Sequence, residues 1–348
     1  MLSVRARRLL LWLGVFCSLV SATLFSAAVM AQNSGWSQSN GWLEYKSRFL
    51  QADGRIADTA NKGVSHTEGQ GFSMLLAVYN NDQGTFDQLW QWANKNLYRK
   101  DIGLYSWRYD PNATPKVADK NNASDGDTLM AWALLLAGDR WHDPRYTQAS
   151  DKLQSALIKK TVIDYAGYKV MLPGVSGFNQ TSSITLNPSY FLFPAWQAFY
   201  QHSHLKVWKD LDESGVALLG KMTFGELRLP TDWVTLQADG TLLPSSKWPP
   251  RFSYDAVRIP LYLGWAHAGS PGLAPYIQWW QKSPRDATPA WVDVMTGTKA
   301  EYNMSPGLLA IRDFTMANRS AISPDLAPKD DYYSSTLQLL AWWASQGK

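Results

Sequence analysis

Three acidic clusters in this chain have the residue types and spacing for acid–base chemistry. In Ala123-Ser124-Asp125-Gly126-Asp127 two carboxylates flank a glycine where a polar segment turns into an apolar helix. Asp125 and Asp127 are two residues apart, so on a helical first turn they diverge, one free to face a cleft while the other serves the fold. The second cluster is Ser65-His66-Thr67-Glu68-Gly69-Gln70-Gly71, and the third is Arg251-Phe252-Ser253-Tyr254-Asp255-Ala256-Val257-Arg258. Carboxyl groups in unlike surroundings can divide the work of proton donor and base between them.

Each cluster also has a plainer reading. Ser124-x-x-Asp127 and Ser65-x-x-Glu68 have the form of capping boxes that open amphipathic helices. Asp255 and Arg258, three apart at a helix start, can simply pair with one another. The glycines tilt the balance. Gly126, Gly69 and Gly71 each cost a helix about 1 kcal/mol relative to alanine, which a mere cap does not require. They point to a close approach, at Gly126 of backbone to a ligand.

The elements that must carry these residues read as helices. Apolar spacing of helical period recurs at 42–50, 69–80, 86–97, 126–136, 145–160, 190–202, 205–221, 255–268, 273–281, 306–316 and 333–345. Strands are few, and 162–172 and 233–243 read as short hairpins. No repeat period appears, so the expected body is one mostly helical domain of hairpins closing on themselves. The chain holds 18 tryptophans. Paired rings such as Trp90 and Trp92, Trp279 and Trp280, and Trp342 and Trp343 fall in helical patterns and read as core. Trp107, Trp233 and Trp248 fall in loops, where a flat ring can stack on the apolar face of a sugar.

The run from Ala123 through Met130, Ala131, Ala137 and Trp141 resembles the signature of glycoside hydrolase family 8. So do the Thr67-Glu68-Gly69-Gln70 segment, Leu186-Asn187-Pro188-Ser189-Tyr190, Tyr254-Asp255-Ala256-x-Arg258 and the tyrosine pair in Asp331-Tyr332-Tyr333. The resemblance runs from about Trp42 to Trp343. It implies an all-α (α/α)6 barrel, an endo-acting β-1,4-glucanase that inverts configuration, and no metal or organic cofactor. It implies Glu68 as proton donor, Asp255 as general base, and Asp125 as the carboxylate that holds the sugar at the point of cleavage. With them go Tyr190, Tyr332 and Tyr333 as sugar contacts and Arg258 as the positioner of Asp255 or a sugar contact, beside the loop rings Trp107 and Trp233 read above. A helix N-terminus favours an ionised carboxylate, which opposes an acid role for Glu68. The charge of Asp125 is the expected counterweight. Xylanases, chitosanases and lichenases share the scaffold, and a non-catalytic glycan-binding subunit of an exopolysaccharide export complex is the alternative from another class.

Arg5, Arg7 and Arg8, an apolar stretch over 9–19 and Val29-Met30-Ala31 before Gln32 have the form of an export signal. The expected division is a signal at 1–31 and a single catalytic domain at 32–348, placed in the periplasm or secreted. Cleavage removes Cys17, the one cysteine, and with it any disulfide or thiolate chemistry. It also removes three arginines, leaving 30 basic against 29 acidic residues, a net +1 in place of +4. That balance argues against nucleic acid or an anionic membrane surface and suits a neutral polymer. A monomer acting on β-1,4-glucan is expected, and a signal with one such domain most resembles the endoglucanases encoded with bacterial cellulose synthases, which makes a cellulose synthase complex a candidate partner. His202-x-His204, His142 and His267 lack metal spacing, and Leu136 stands where an EF-hand needs glutamate.

Overall fold

The computed structural model describes residues 38–347; the export-signal reading of 1–31 lies outside them. Eleven α-helices fall among the described residues. They are α1 (Asn40–Phe49), α2 (Thr67–Tyr79), α3 (Gln83–Asn96), α4 (Ser124–Trp141), α5 (Pro144–Thr161), α6 (Phe193–Ser203), α7 (Lys206–Leu219), α8 (Ile259–Ala266), α9 (Ala274–Trp280), α10 (Pro306–Thr315) and α11 (Tyr332–Ser345). Each coincides with a stretch of helical spacing in the sequence. The hairpins at 162–171 and 234–244 form as expected, but the second gains a partner, Ser183–Leu186, which pairs with Val234–Gln237 to make three strands. Ser183–Leu186 is only four residues long and its partner is distant in the chain, so local spacing does not show it.

Burial separates the helices into two sets. On α2 every residue from Gly69 to Val78 is buried, and α4 is buried from Ser124 to Leu135. A helix apolar all round belongs inside. On α5 burial is confined to Tyr146, Ser150, Leu153, Gln154, Leu157 and Thr161, and on α7 to Trp208, Leu211, Gly215, Leu218 and Leu219. One-sided burial of that spacing marks an outer helix. The contacts agree: α2, α4, α6, α8, α10 and α11 touch in that order, and α11 returns to α2. Outside them, α3 packs on α2, α5 on α4, α7 on α6, α9 on α10 and α1 on α11. The result is an (α/α)6 barrel in which the segment 316–331, with one 3-10 turn (Arg319–Ala321), stands in for the sixth outer helix.

Glycines at the starts of the inner helices let this ring close. A Cβ on Gly126 would lie 2.7 Å from the Glu68 backbone nitrogen and collide with the Thr67 hydroxyl. One on Gly71 would lie 2.6 Å from Leu129 Cβ, and one on Gly69 would lie 2.5 Å from Tyr332 Oη. Gly307 meets the Ser334 carbonyl in the same way. The close approach that these glycines signal is therefore helix against helix. The ligand contact expected at Gly126 is corrected: its neighbour is the start of α2.

The Tyr332 hydroxyl is buried without a hydrogen-bond partner among the described residues, so the contact at Gly69 gives a clean test. We expect Gly69→Ala to cost about 1–3 kcal/mol, the usual toll of overpacking. Adding Tyr332→Phe removes the colliding oxygen and should recover at least half of the loss in urea or thermal denaturation. Simple additivity of the two changes would contradict this account of the rim.

Candidate active site

The inner helices all enter the ring from one rim, and that rim collects the acidic clusters. Neither capping box forms. The α2 helix starts at Thr67 after an extended His66 that makes no side-chain cap, and Ser65 Oγ instead donates to the Ile56 carbonyl at 2.6 Å. On α4 the Ser124 hydroxyl donates to the Leu172 carbonyl. Glu68 and Asp125 thus occupy equivalent positions, the second residue of an inner helix, in Thr67-Glu68-Gly69 and Ser124-Asp125-Gly126. Free of capping, both are available to the rim.

Arg258 joins the clusters. Its side chain is only 2% exposed, yet it pairs with Glu68 through Nη1, donates to Asp255 Oδ1 through Nη2 at 2.9 Å, and reaches Ser189 Oγ at 2.8 Å. The Asp255–Arg258 pairing read from the sequence therefore exists, and it is one arm of a larger network. Asn187 donates to the other oxygen of Asp255 at 3.1 Å and accepts from the Ser189 hydroxyl at 2.6 Å. Beneath Asp255, Asp232 accepts from the Ser253 and Ala256 backbone N–H groups at 3.0 and 2.8 Å, which fixes the turn carrying it. The Tyr333 ring lies 6.0 Å from the Arg258 guanidinium, and its hydroxyl donates to the Tyr254 carbonyl at 2.5 Å.

Asp125 and Asp127 diverge as their spacing predicts. Asp127 is fully buried, accepting from the Tyr105 N–H at 3.0 Å and from the Asn122 amide at 2.9 Å. It ties the loop that holds Trp107 to α4. Asp125 accepts from its own helix at the Gly126 N–H, 2.8 Å away, and from the Tyr190 hydroxyl. Burial pushes its carboxyl up to about 7, against which those two hydrogen bonds act. Asp255 is raised too, first by burial and then by the charges of Asp232 and Asp125, with Asn187 opposing. Asp255 is still a third exposed, so it lies deep among protein atoms but open to the cleft. Glu68 pairs with the cation of Arg258, and the Asp125 charge is felt at Asp255.

Aromatic rings extend the site. Trp107 stacks on His66 (5.9 Å, 5° between planes) and donates its indole N–H to Asp119 at 2.8 Å, while its carbonyl accepts the Thr67 N–H at 3.0 Å. Burial, assisted by Arg108, pushes His66 down to about 4, so a neutral ring backs Trp107. Tyr190 meets Trp233 edge to face at 6.1 Å, and Trp233 stacks on Trp248 at 4.4 Å and on Phe178 at 5.8 Å. The tyrosine pair divides. Tyr333 stands beside Arg258, but Tyr332 is 2% exposed and packs against Gly69 and Phe49. The expectation that Tyr332 faces the cleft is corrected, since consecutive residues at a helix start point in different directions. Sequence reasoning missed Asp232 and the roles of Asn187 and Ser189. Their partners lie 21 to 69 residues away in the chain, where no local spacing can show them.

Buried carboxylates and flat aromatic rings along the rim of an (α/α)6 barrel are the equipment of an acid–base hydrolase of a neutral polymer. The sequence profile described as glycosyl hydrolases family 8 matches residues 14–347, and the chain belongs to that family. It is 54% identical over 295 residues to an endoglucanase of Cellulomonas uda, covering 85% of this chain and 82% of that protein. It is 39% identical over 305 residues to a probable endoglucanase of Novacetimonas hansenii, covering 87% and 89%. Among solved structures, the family 8 endoglucanase Cel10 of Klebsiella pneumoniae superposes with a TM-score of 0.87 at 54% identity, covering 89% of this chain and 99% of that one. The endo-β-1,4-glucanase CMCax of Acetobacter xylinum gives 0.81 at 37% identity, covering 88% and 96%.

The buried acids make stability depend on pH. A carboxyl raised from 3.8 to about 7 by folding contributes its full share of stability below about 4 and loses it as pH climbs through 7. Asp125→Asn removes that penalty. We expect its melting temperature to exceed that of the parent at pH 8, with the gain shrinking toward zero at pH 4. An equal gain at both pH values would rule out burial of this carboxylate as the cause.

Proposed function

We propose that the protein is an endo-β-1,4-glucanase that cuts cellulose-like glucan with inversion of configuration. The observation that carries this reading is the placement of Glu68 and Asp255 on two nitrogens of one buried guanidinium. Both carboxylates are spaced by the fork of Arg258, and that spacing is taken here to leave room for a water between acid and base. Inverting enzymes space their acid and base at roughly 6.5–9.5 Å for that purpose. In this reading Glu68 protonates the leaving oxygen and Asp255 takes a proton from the water on the opposite face of the ring. Asp125, with Tyr190 on it, holds the sugar at the point of cleavage. Trp107, Tyr190, Trp233 and Tyr333 contact the chain of sugars, and Arg258 keeps the acid and base in register.

Glu68 must carry a proton to act, whereas in the structure it faces Arg258. Entry of the sugar therefore has to draw Arg258 toward Asp255 and Ser189, its two other acceptors. The endoglucanase names of the relatives at 54% and 39% identity support the substrate class. We further propose that residues 1–31 direct export, that the domain spans 32–348, and that the protein trims newly made glucan as a monomer beside a cellulose synthase complex. The basic, apolar and small-residue pattern before Gln32 supports the export step. No helix among the described residues is long and apolar enough to cross a membrane.

Reducing-end release from soluble β-1,4-glucan should exceed that from xylan or chitosan at least tenfold, and a reversed preference would replace glucan as the substrate. Glu68→Gln should fall at least a thousandfold in turnover while still binding glucan, because the amide keeps the shape and loses the proton. Retention of a tenth of the activity would remove Glu68 from the acid role. NMR during early hydrolysis should show the α-anomer of the new reducing end first. Initial β-anomer would mean a double displacement, and Asp255 would then be no base.

A further inference from the structure

The rim opposite the carboxylates has a site of its own. Since all inner helices start at the acidic rim, their C-terminal ends gather at the other mouth, around a cavity of about 470 Å³. Trp265, near the end of α8, is its partly exposed aromatic wall. Trp132 and Trp343 hold it edge-on at 5.3 and 5.4 Å, and those two rings lie nearly parallel, 6.2 Å apart. Small residues, among them Ala198, Gly264 and Ala266, keep the space in front of this platform open.

The polar groups around Trp265 narrow the ligand. The carbonyls of Gly264, Trp265 and Ala266, at the end of α8, accept no hydrogen bond from the described residues. The Gln201 amide, also on the wall, has no partner among them either. Arg319 stands at the mouth with one nitrogen on the Ser345 carbonyl, 3.1 Å away. A cation would be drawn to helix C-termini and indoles, but Arg319 already supplies the positive charge there. A purely apolar ligand would bury carbonyls and an amide without partners, which is costly. A pyranose answers each group: its apolar face covers Trp265, its hydroxyls donate to the free carbonyls, and they accept from Gln201 and Arg319.

We propose that this cavity is a second, non-catalytic carbohydrate site that takes one or two pyranose units of a β-glucan chain. Its volume falls in the range of small-ligand sites, roughly 300–1,000 Å³. The identity of the sugar rests on the activity proposed above. A glucan end held here would keep the enzyme on an insoluble chain while the opposite rim is free to cut another.

The test uses the full-length Glu68→Gln protein, in which hydrolysis is blocked, titrated with cellotetraose while indole N–H resonances are followed by NMR. The Trp265 and Trp343 signals should shift together with those of the cleft. Adding Gln201→Ala should raise the sugar concentration needed at Trp265 at least fivefold, and Ala198→Leu, which fills the cavity, should abolish the Trp265 shift and leave the cleft shifts in place. In the active protein both changes should keep turnover of soluble cellotetraose within twofold and lower adsorption to insoluble cellulose at least threefold. Shifts confined to the cleft, or a Trp265 shift that survives Ala198→Leu, would overturn the site. A protein that fails to cut β-glucan but still shifts Trp265 would support this site and overturn the activity reading.

Discussion

The rim of this barrel is organised around one buried cation. Taking a guanidinium out of water costs several kcal/mol unless carboxylates and hydrogen bonds replace the lost hydration. Arg258 recovers it from Glu68 on α2, from Asp255 on the turn before α8 and from Ser189 on the turn before α6. Three separate stretches of chain must therefore converge within one side chain's reach. Asn187 and Asp232 complete the arrangement by bracing Asp255 from two further directions. Two carboxylates held on the same planar fork have their separation limited by one side chain rather than left to flexible loops.

The ring of helices makes that convergence possible, and its closure depends on missing side chains. Thr67 of α2 sits where a Cβ of Gly126 would be, Tyr332 of α11 where one of Gly69 would be, and Ser334 where one of Gly307 would be. Each glycine lets the first turn of one inner helix lie against that of the next. The helix-propensity cost of these glycines is the counterpart of tight packing around the ring. The same first turns carry the carboxylates, so packing precision at the rim becomes positional precision in the site.

The carboxylates themselves work against the fold. Asp125, Asp127 and Asp255 are each raised by burial, and Asp125 and Asp232 raise Asp255 further by like charge. A fold optimised for stability alone would not gather such groups at one rim. Their accumulation on a single rim, away from the apolar interior of α2 and α4, is the physical mark of a site where charge has been placed for chemistry.

Much of the fold was legible because helical periodicity is a local property. Helical spacing follows from side-chain direction alone, so the eleven helices could be read along the chain, while which of them line the ring was decided by their contacts. The carboxylates and loop tryptophans were legible as residue types, and the divergence of Asp125 from Asp127 followed from their spacing. What tertiary structure decided was partnership. That Ser65 and Ser124 leave their caps for distant carbonyls, that Gly126 yields to Thr67, that Tyr332 turns into the core beside Tyr333, and that Glu68 faces Arg258 are contacts between residues far apart in the chain. So is the Asp232 support of Asp255. Sequence spacing constrains which way a side chain points along its own helix; which neighbour it then meets is set only when the ring closes.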